Sequence, residues 1–364
     1  MKKKKIFISI VAVLLLIVLL VAGFVASKLK KIDYNDGVVY EKVEETVEES
    51  EEILVTDEEA ESLGEAEVIL SEAEVQSDKD IYNILLLGTD EKTSKFNTNA
   101  RADSIMILSL NKKDNTTKLV SLQRGMGVPI LEGQYEGEYD WITHLFRYGG
   151  ADLMMRTIKE VLNVEIEHYV RVNPNTFRAL IDAIGGTDIV LTAEEAKAIN
   201  LAGQAYSKMQ TVYEGLNHLD GYNTFAYTRL RSIDSDWKRV QRQRNVIQSL
   251  VTSAKDMSFK DLNNMLDTVL PLVQTNLTTM DILGLISYAP AVLGQDLEQM
   301  TIPVKGTYGS MKGLGGRNLY AVDFQENSKI LHEFLYGVEA ESEAESENVA
   351  EDTVEAANTE VTAE

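Results

Sequence analysis

Apolar and polar positions alternate along the middle of this chain with two different periods. "IYNILLLGTD", residues 81–90, is a short continuous apolar run closing on Gly88, the pattern of a buried strand that delivers Asp90 to its tip. "ADSIMILSLN" and "TTKLVSLQ" repeat that pattern on either side of "NKKDN", whose Asn and Asp favour a turn, so a hairpin is expected there. "GGADLMMRTIKEVLN" changes to helical spacing, with Leu153, Met154, Ile158, Val161 and Leu162 on one face and Asp152 near its start. "HYVRVN" predicts a strand, "PNTFRALIDAIGG" a helix closed by Gly185 and Gly186, and "TDIVL" another strand. "LDGYNTFAYTRLR" and "DWKRVQRQRNVIQSLVTSAKD" then read as helices, "MTIPVKGTY" and "GRNLYAVDF" as strand pieces, and "FQENSKILHEFLYG" as a closing helix. Strands alternate with helices, which predicts an α/β fold of the α-β-α kind, a central mixed sheet flanked by helices.

The ends follow a different logic. Four lysines precede an uncharged run from Ile6 to Ala26, and Lys28, Lys30 and Lys31 follow it. About 20 apolar residues match the hydrocarbon thickness of a bilayer, and the run is longer than a secretory signal requires. Residues 1–31 are therefore expected to be a short cytoplasmic N-terminus and one transmembrane helix, with the rest of the chain outside the cell membrane. Residues 32–80 and 338–364 are rich in Glu and poor in core-forming residues, and are expected to be disordered acidic spacers. Residues 81–337 remain as the folded domain.

Charge supports that division. The chain carries −23 overall, but its first 31 residues hold seven lysines and no acid, the 32–80 segment contributes −17 and the tail −10. The central domain is left at −3, so the acidity belongs to the flanks. With no Cys in its 364 residues, the chain has no disulfides, thiolate metal sites or cysteine nucleophiles. It contains no HExxH, GxxxxGK[ST] or GxSxG, so zinc-protease, P-loop and serine-hydrolase readings have no support.

Candidate chemistry gathers in two places. The stretch "TRLRSIDSDWKRVQRQR" holds six basic residues. At about 100° per residue, Val240, Ile247, Val251 and Ala254 share a core face of its helix, Arg239 and Gln243 border that face, and Arg242 lies just beyond Arg239. Lys238 and Arg244 point to solvent. Arg229 and Arg231 precede the helix and, in an extended segment, share a side. Guanidinium groups so clustered suit phosphate or diphosphate, to which they donate paired hydrogen bonds. A near-neutral domain without an extended basic stripe argues against nucleic acid. The second place joins "GTD" with "RADSIM": Asp90 and Asp103 are candidate ligands for Mg²⁺ or Mn²⁺. Of the four histidines, His144 beside "RYGG" is the one site candidate.

Taken together, "NILLLGTD", "RADSIMILSLN", "SLQRG", "YGGADLMMRTIKEVLNVEIEHYVRVN", "FRALIDAIGGTDIVL", "LDGYNTFAYTRLR" and "DWKRVQRQRNVI" resemble the LytR-CpsA-Psr family of membrane-anchored bacterial enzymes over residues 82–255. The resemblance implies a phosphotransferase that moves a glycopolymer from an undecaprenyl-diphosphate carrier to peptidoglycan through a phosphodiester. It implies Asp90 and Asp103 at the metal site. Arg124, Arg229, Arg231, Asp236 and Arg239 would be catalytic, and Arg101, Gln243 and Arg242 would bind substrate. The helices around "FRALIDAIGG" and "MDILGLISYAPAVLG" would line a groove for the lipid tail.

Three departures from the family pattern stand out. Its Pro-Arg-Asp is here Gln123-Arg124-Gly125, its Lys-Ile-Asn is Trp141-Ile142-Thr143, and its Asp-Phe-Gly-Arg is Asp236-Trp237-Lys238-Arg239. If the family acid is simply missing at residue 125, restoring Asp there should raise activity. Two other readings stay open at this point: a carrier-lipid-binding relative with little catalysis, and a cell-wall scaffold or regulator.

Overall fold

Strands whose alternate residues are all apolar must be covered on both faces, and that requirement organises the molecule. The structure is a computed structural model that describes residues 33–34, 54–91, 96–203, 209–230, 233, 235–255, 258–285, 288 and 297–337. In chain order its elements are β1 (Asp33–Tyr34), α1 (Asp57–Leu63), β2 (Ile81–Thr89), β3 (Ala102–Asn111), β4 (Thr116–Leu122), β5 (Gly127–Pro129), β6 (Tyr139–Trp141), α2 (Leu145–Leu162), β7 (His168–Val172), α3 (Pro174–Ile184) and β8 (Thr187–Leu191). There follow α4 (Ala193–Gly203), β9 (Gly215–Leu219), α5 (Gly221–Thr228), α6 (Asp236–Lys255), α7 (Phe259–Val269), β10 (Gln274–Thr275), α8 (Thr279–Leu285), β11 (Glu298–Ile302), β12 (Tyr308–Lys312), β13 (Asn318–Val322) and α9 (Phe324–Tyr336).

Among the described residues the main sheet has seven strands in the order β1-β10-β7-β2-β3-β4-β11. It is mixed: β2 runs parallel to β7 and antiparallel to β3, and β4 is parallel to β11. The expected hairpin is β3–β4, and the central mixed sheet matches the expectation. β8 departs from it, since it pairs only with β9 in a separate two-stranded sheet.

The two faces of the main sheet have different cover. Leu85, Leu87, Ile105, Ile107, Val120 and Leu122 point to one side and join the largest core with α2 and α9. Leu86, Met106 and Leu119 point to the other, beneath Ile247 of α6. α3, α5 and α6 also cover that second face. α3 is set by local chemistry: Asn173 caps its first turn, Pro174 occupies the first position, and Gly185 ends it in the left-handed conformation at φ 96°.

The acidic segment corrects one boundary. It was expected to stay a disordered spacer to residue 80, yet Leu54 and Val55 are buried in the main core and α1 begins two residues later. Its continuation adds single bridges from Glu65 to Ser310, Ile69 to Asp323 and Gln76 to Val164. The folded unit therefore takes in residues 54–80, and β1 places Asp33 and Tyr34 on the main sheet beside β10 as well. The apolar run at 6–26 and the acidic tail 338–364 lie outside the described residues, and among those described no helix is long and apolar enough to cross a membrane.

A chain beginning at residue 81 loses this strap. Truncation there is expected to lower the denaturant midpoint relative to a chain beginning at residue 51. Val55→Ala alone should cost about 2 kcal/mol, from two buried methyl groups and the cavity they leave. Urea unfolding followed by circular dichroism checks both.

Candidate functional site: a charged mouth on an apolar cavity

In a regular antiparallel pair, neighbouring residues face opposite sides of the sheet. The β2–β3 pair breaks that rule once: Gly88 opposes Ser104 and Thr89 opposes Ala102, leaving Asp103 as an extra residue. This bulge lets Asp103 and Ser104 line the same cavity although they are consecutive. Gly88 fits closely opposite it: a Cβ there would approach Ser104 Cβ to 3.0 Å.

The cavity lies between the second face of the sheet and helices α3, α5 and α6, with a volume of about 340 Å³. Most of its lining is apolar, including Leu86, Met106 and Val170 from the sheet and Phe177, Phe225 and Leu250 from the helices. Its polar lining includes Asp90, Asp103, Arg229, Arg239 and Gln243. The i,i+4 pair Arg239 and Gln243 thus borders core and cleft as the helical spacing predicts.

Ion pairs fix these charges. Arg101 donates to both oxygens of Asp90, its backbone N–H at 2.8 Å and its Nε at 3.0 Å. Arg124, whose side chain is 2% exposed, bridges Asp103 at 2.7 Å and Asp236 at 2.8 Å. Arg239, equally buried, places Nε 3.1 Å from Asp236 Oδ1 and donates to the Asp103 carbonyl oxygen at 3.1 Å. Burial works against charge on Asp103, but Arg124, Arg239 and Arg101 outweigh it and hold its carboxyl below the usual carboxylate value. Arg229 closes α5 with its guanidinium carbon 5.4 Å from the Phe225 ring. Among the described residues no three His, Cys, Asp or Glu side chains gather as a metal cluster, so the carboxylates the mouth offers a cation are Asp90 and Asp103.

Several expectations change. Arg231 lies outside the described residues. Arg242 does not line the cavity; it donates to Glu195 at 2.7 Å and to the Leu230 carbonyl at 2.9 Å, tying α6 to α4 and to the end of α5. Arg244, expected in solvent, is half-buried, and burial lowers its pKa. His144 is wholly buried against Asp140 at 2.8 Å and belongs to packing. The "FRALIDAIGG" helix lines the cavity through Phe177 and Leu180, whereas no described residue of 280–294 does.

The pattern also hid a residue pair. Arg171 on β7 is buried between the rings of Phe96 and Phe146, donates to Glu91, and bonds Thr89 Oγ1 at 3.1 Å. This holds the turn that carries Asp90. A lone Arg inside the apolar strand "HYVRVN" was the available signal.

The profile of the LytR_cpsA_psr family matches residues 38–334. The chain belongs to that family. It is similar to the polyisoprenyl-teichoic acid–peptidoglycan teichoic acid transferase TagU of Bacillus anthracis, at 34% identity over 66% of this chain and 72% of that protein. It is also similar to the transferase of the same description, TagT, of Bacillus subtilis, at 30% identity over 61% and 68%. Among solved structures, TagT bound to LIIa-WTA superposes with a TM-score of 0.58 and 26% identity, covering 74% of this chain and all of that one. The LytR_cpsA_psr fold and its transferase class are therefore those of this chain.

Within the family pattern, Gly125 now has an explanation. A Cβ at Gly125 would lie 3.0 Å from Val55 and 3.1 Å from Tyr320, so these side chains fill the place an acid would need. Arg124 has carboxylate partners on both sides without an acid at 125, in Asp103 and Asp236. Gly125→Asp is accordingly expected to destabilise the protein by about 1–3 kcal/mol through overpacking and a buried charge, without raising activity. Equilibrium unfolding beside a transfer assay checks this.

Proposed function

We propose that this LytR_cpsA_psr protein transfers a glycopolymer from a polyprenyl-diphosphate carrier to peptidoglycan through a phosphodiester bond. The observation that carries the reading is one cavity whose lining is largely apolar and also holds Asp90, Asp103, Arg229, Arg239 and Gln243. An isoprenoid tail gains about 0.8 kcal/mol per buried CH₂, which suits the apolar lining. A diphosphate suits the arginines, whose N–H groups match its oxygens. The names of TagU and TagT, which specify a polyisoprenyl donor and peptidoglycan, support the same assignment.

In the proposed reaction a peptidoglycan hydroxyl attacks the phosphorus that bears the glycan. A new P–O bond forms, the bond to the bridging oxygen breaks, and the carrier leaves as polyprenyl monophosphate while the hydroxyl proton passes to a base or solvent. Such transfers depend mainly on positioning and on neutralising charge at the phosphate oxygens. Arg239 and Arg229 supply that neutralisation from the cavity wall, with Gln243 as a neutral donor beside them. Arg124 holds Asp103 and Asp236 in place, and Asp236, engaged by Arg124 and Arg239, orients the guanidinium groups. Arg101 does the same for Asp90.

The donor set fits Mg²⁺ or Mn²⁺: two carboxylates facing one cavity, with substrate phosphate and water to complete the shell. Asp90 and Asp103 would hold the cation, which would withdraw charge from the diphosphate oxygens.

Reconstitution with a lipid-diphosphate glycan, peptidoglycan and Mg²⁺ tests the reading. Arg239→Ala should lower kcat by about 10²–10³-fold, the scale of losing a donor to transition-state charge. Arg242→Ala should reduce stability while leaving kcat of the folded enzyme within a few-fold. Carrier binding without turnover in the parent protein would contradict transfer.

A further inference from the structure

Asp33 and Tyr34 form β1, which runs parallel to β10 with Asp33 opposite Gln274 and Tyr34 opposite Thr275. β10 in turn pairs with β7, where Thr275 opposes Val170 and Gln274 opposes Arg171. Val170 belongs to the apolar lining of the cavity. At about 4.8 Å between neighbouring strands, β1 lies about 10 Å from that part of the cavity wall. Among the described residues β1 is one edge of the seven-stranded sheet and β11 is the other. Six strand spacings, or about 29 Å, separate the two edges.

Covalent geometry turns this pairing into an orientation. The uncharged run ends at Ala26, and Asp33 follows seven residues on. A chain advances at most about 3.6 Å per residue, so β1 lies no more than about 25 Å from the end of that run. That reach is shorter than the distance from one edge of the sheet to the other. Without β1 the next described residue is Leu54, 28 residues after Ala26, and about 100 Å of chain would leave the domain free to turn. The segment before β1 also carries Lys28, Lys30 and Lys31, and each lysine at an anionic membrane surface is worth about 1 kcal/mol. These charges hold the segment near the headgroups and shorten its reach further.

We propose that the β1–β10 edge of the sheet faces the lipid bilayer, held there by the short segment 27–32. The apolar wall at Val170 then stands on the membrane side of the domain, where a polyprenyl tail arrives from the leaflet. The proposal rests on residues 6–26 spanning the membrane; the carrier reading supplies the tail, and the orientation stands without it.

With no Cys in the chain, single cysteines can be labelled selectively. Met280→Cys lies five residues beyond β10 at an exposed position, and Glu298→Cys lies at an exposed position at the start of β11. Each carries a fluorescent donor in the full chain, reconstituted in liposomes that hold a headgroup-labelled acceptor lipid. Energy transfer from residue 280 should be at least about twice that from residue 298. Inserting 20 Gly-Ser residues between Lys31 and Ile32 adds about 25 Å of flexible tether and should bring the two efficiencies together. Thermal melting identifies a labelled variant that fails to fold; the exposed positions Pro271→Cys and Lys305→Cys then replace Met280→Cys and Glu298→Cys. Equal transfer from the two edges, or a ratio that the insertion leaves unchanged, overturns the proposal. Alkaline carbonate extraction reports the anchor separately: release of the parent chain overturns the membrane span and the orientation with it, whereas retention with equal transfer overturns the orientation alone.

Discussion

A guanidinium withdrawn almost wholly from water has to be neutralised where it sits, and for Arg124 that requirement joins distant parts of the chain. One carboxylate comes from the β3 bulge, as Asp103, and the other from the first residue of α6, as Asp236. Removing one partner of such a buried pair typically costs about 3–5 kcal/mol, far more than a surface pair contributes. The position of α6 over the sheet is thereby tied to the position of the bulge. Arg239 adds a second tie between the same two elements, from Asp236 to the Asp103 carbonyl.

Everything proposed for the site hangs on this connection. It brings Arg239 and Gln243 to the cavity that Asp90 and Asp103 enter from the sheet, while Phe177 and Phe225 close the apolar side. Charge is assembled in advance, with its geometry set by partners that themselves stay in place, so little reorganisation is left for the moment of reaction. Glu91 and Arg171 serve the turn after β2 in the same way.

The sequence made legible what is periodic. Alternating and helical apolar spacing identified β2, β3, β4, β7, α3 and α6, and the angle along α6 separated Arg239 and Gln243 from Lys238. Resemblance to the family pointed to Asp90, Asp103 and the arginines. What stayed hidden depends on contacts distant in sequence. Acidic composition masked the strap at 54–80, because two buried side chains and a few backbone bridges suffice to hold it. Arg242 looked like a neighbour of Arg239 until Glu195, 47 residues away, claimed it. Gly125 read as a missing acid, and only Val55 and Tyr320 from opposite ends of the domain show that its space is filled. The bulge that aims Asp103 leaves no mark in the strand pattern.

The central claim is that one cavity takes a polyprenyl tail and presents its diphosphate to the arginines. Mass spectrometry of the lipid that co-purifies with the full chain from its own membranes tests this most directly. The account predicts a polyprenyl phosphate or diphosphate bound to the parent protein and lost from a folded Phe177→Glu variant, in which a charge enters the apolar lining. A parent protein carrying no polyprenyl phosphate, or a variant retaining it undiminished, would contradict the account.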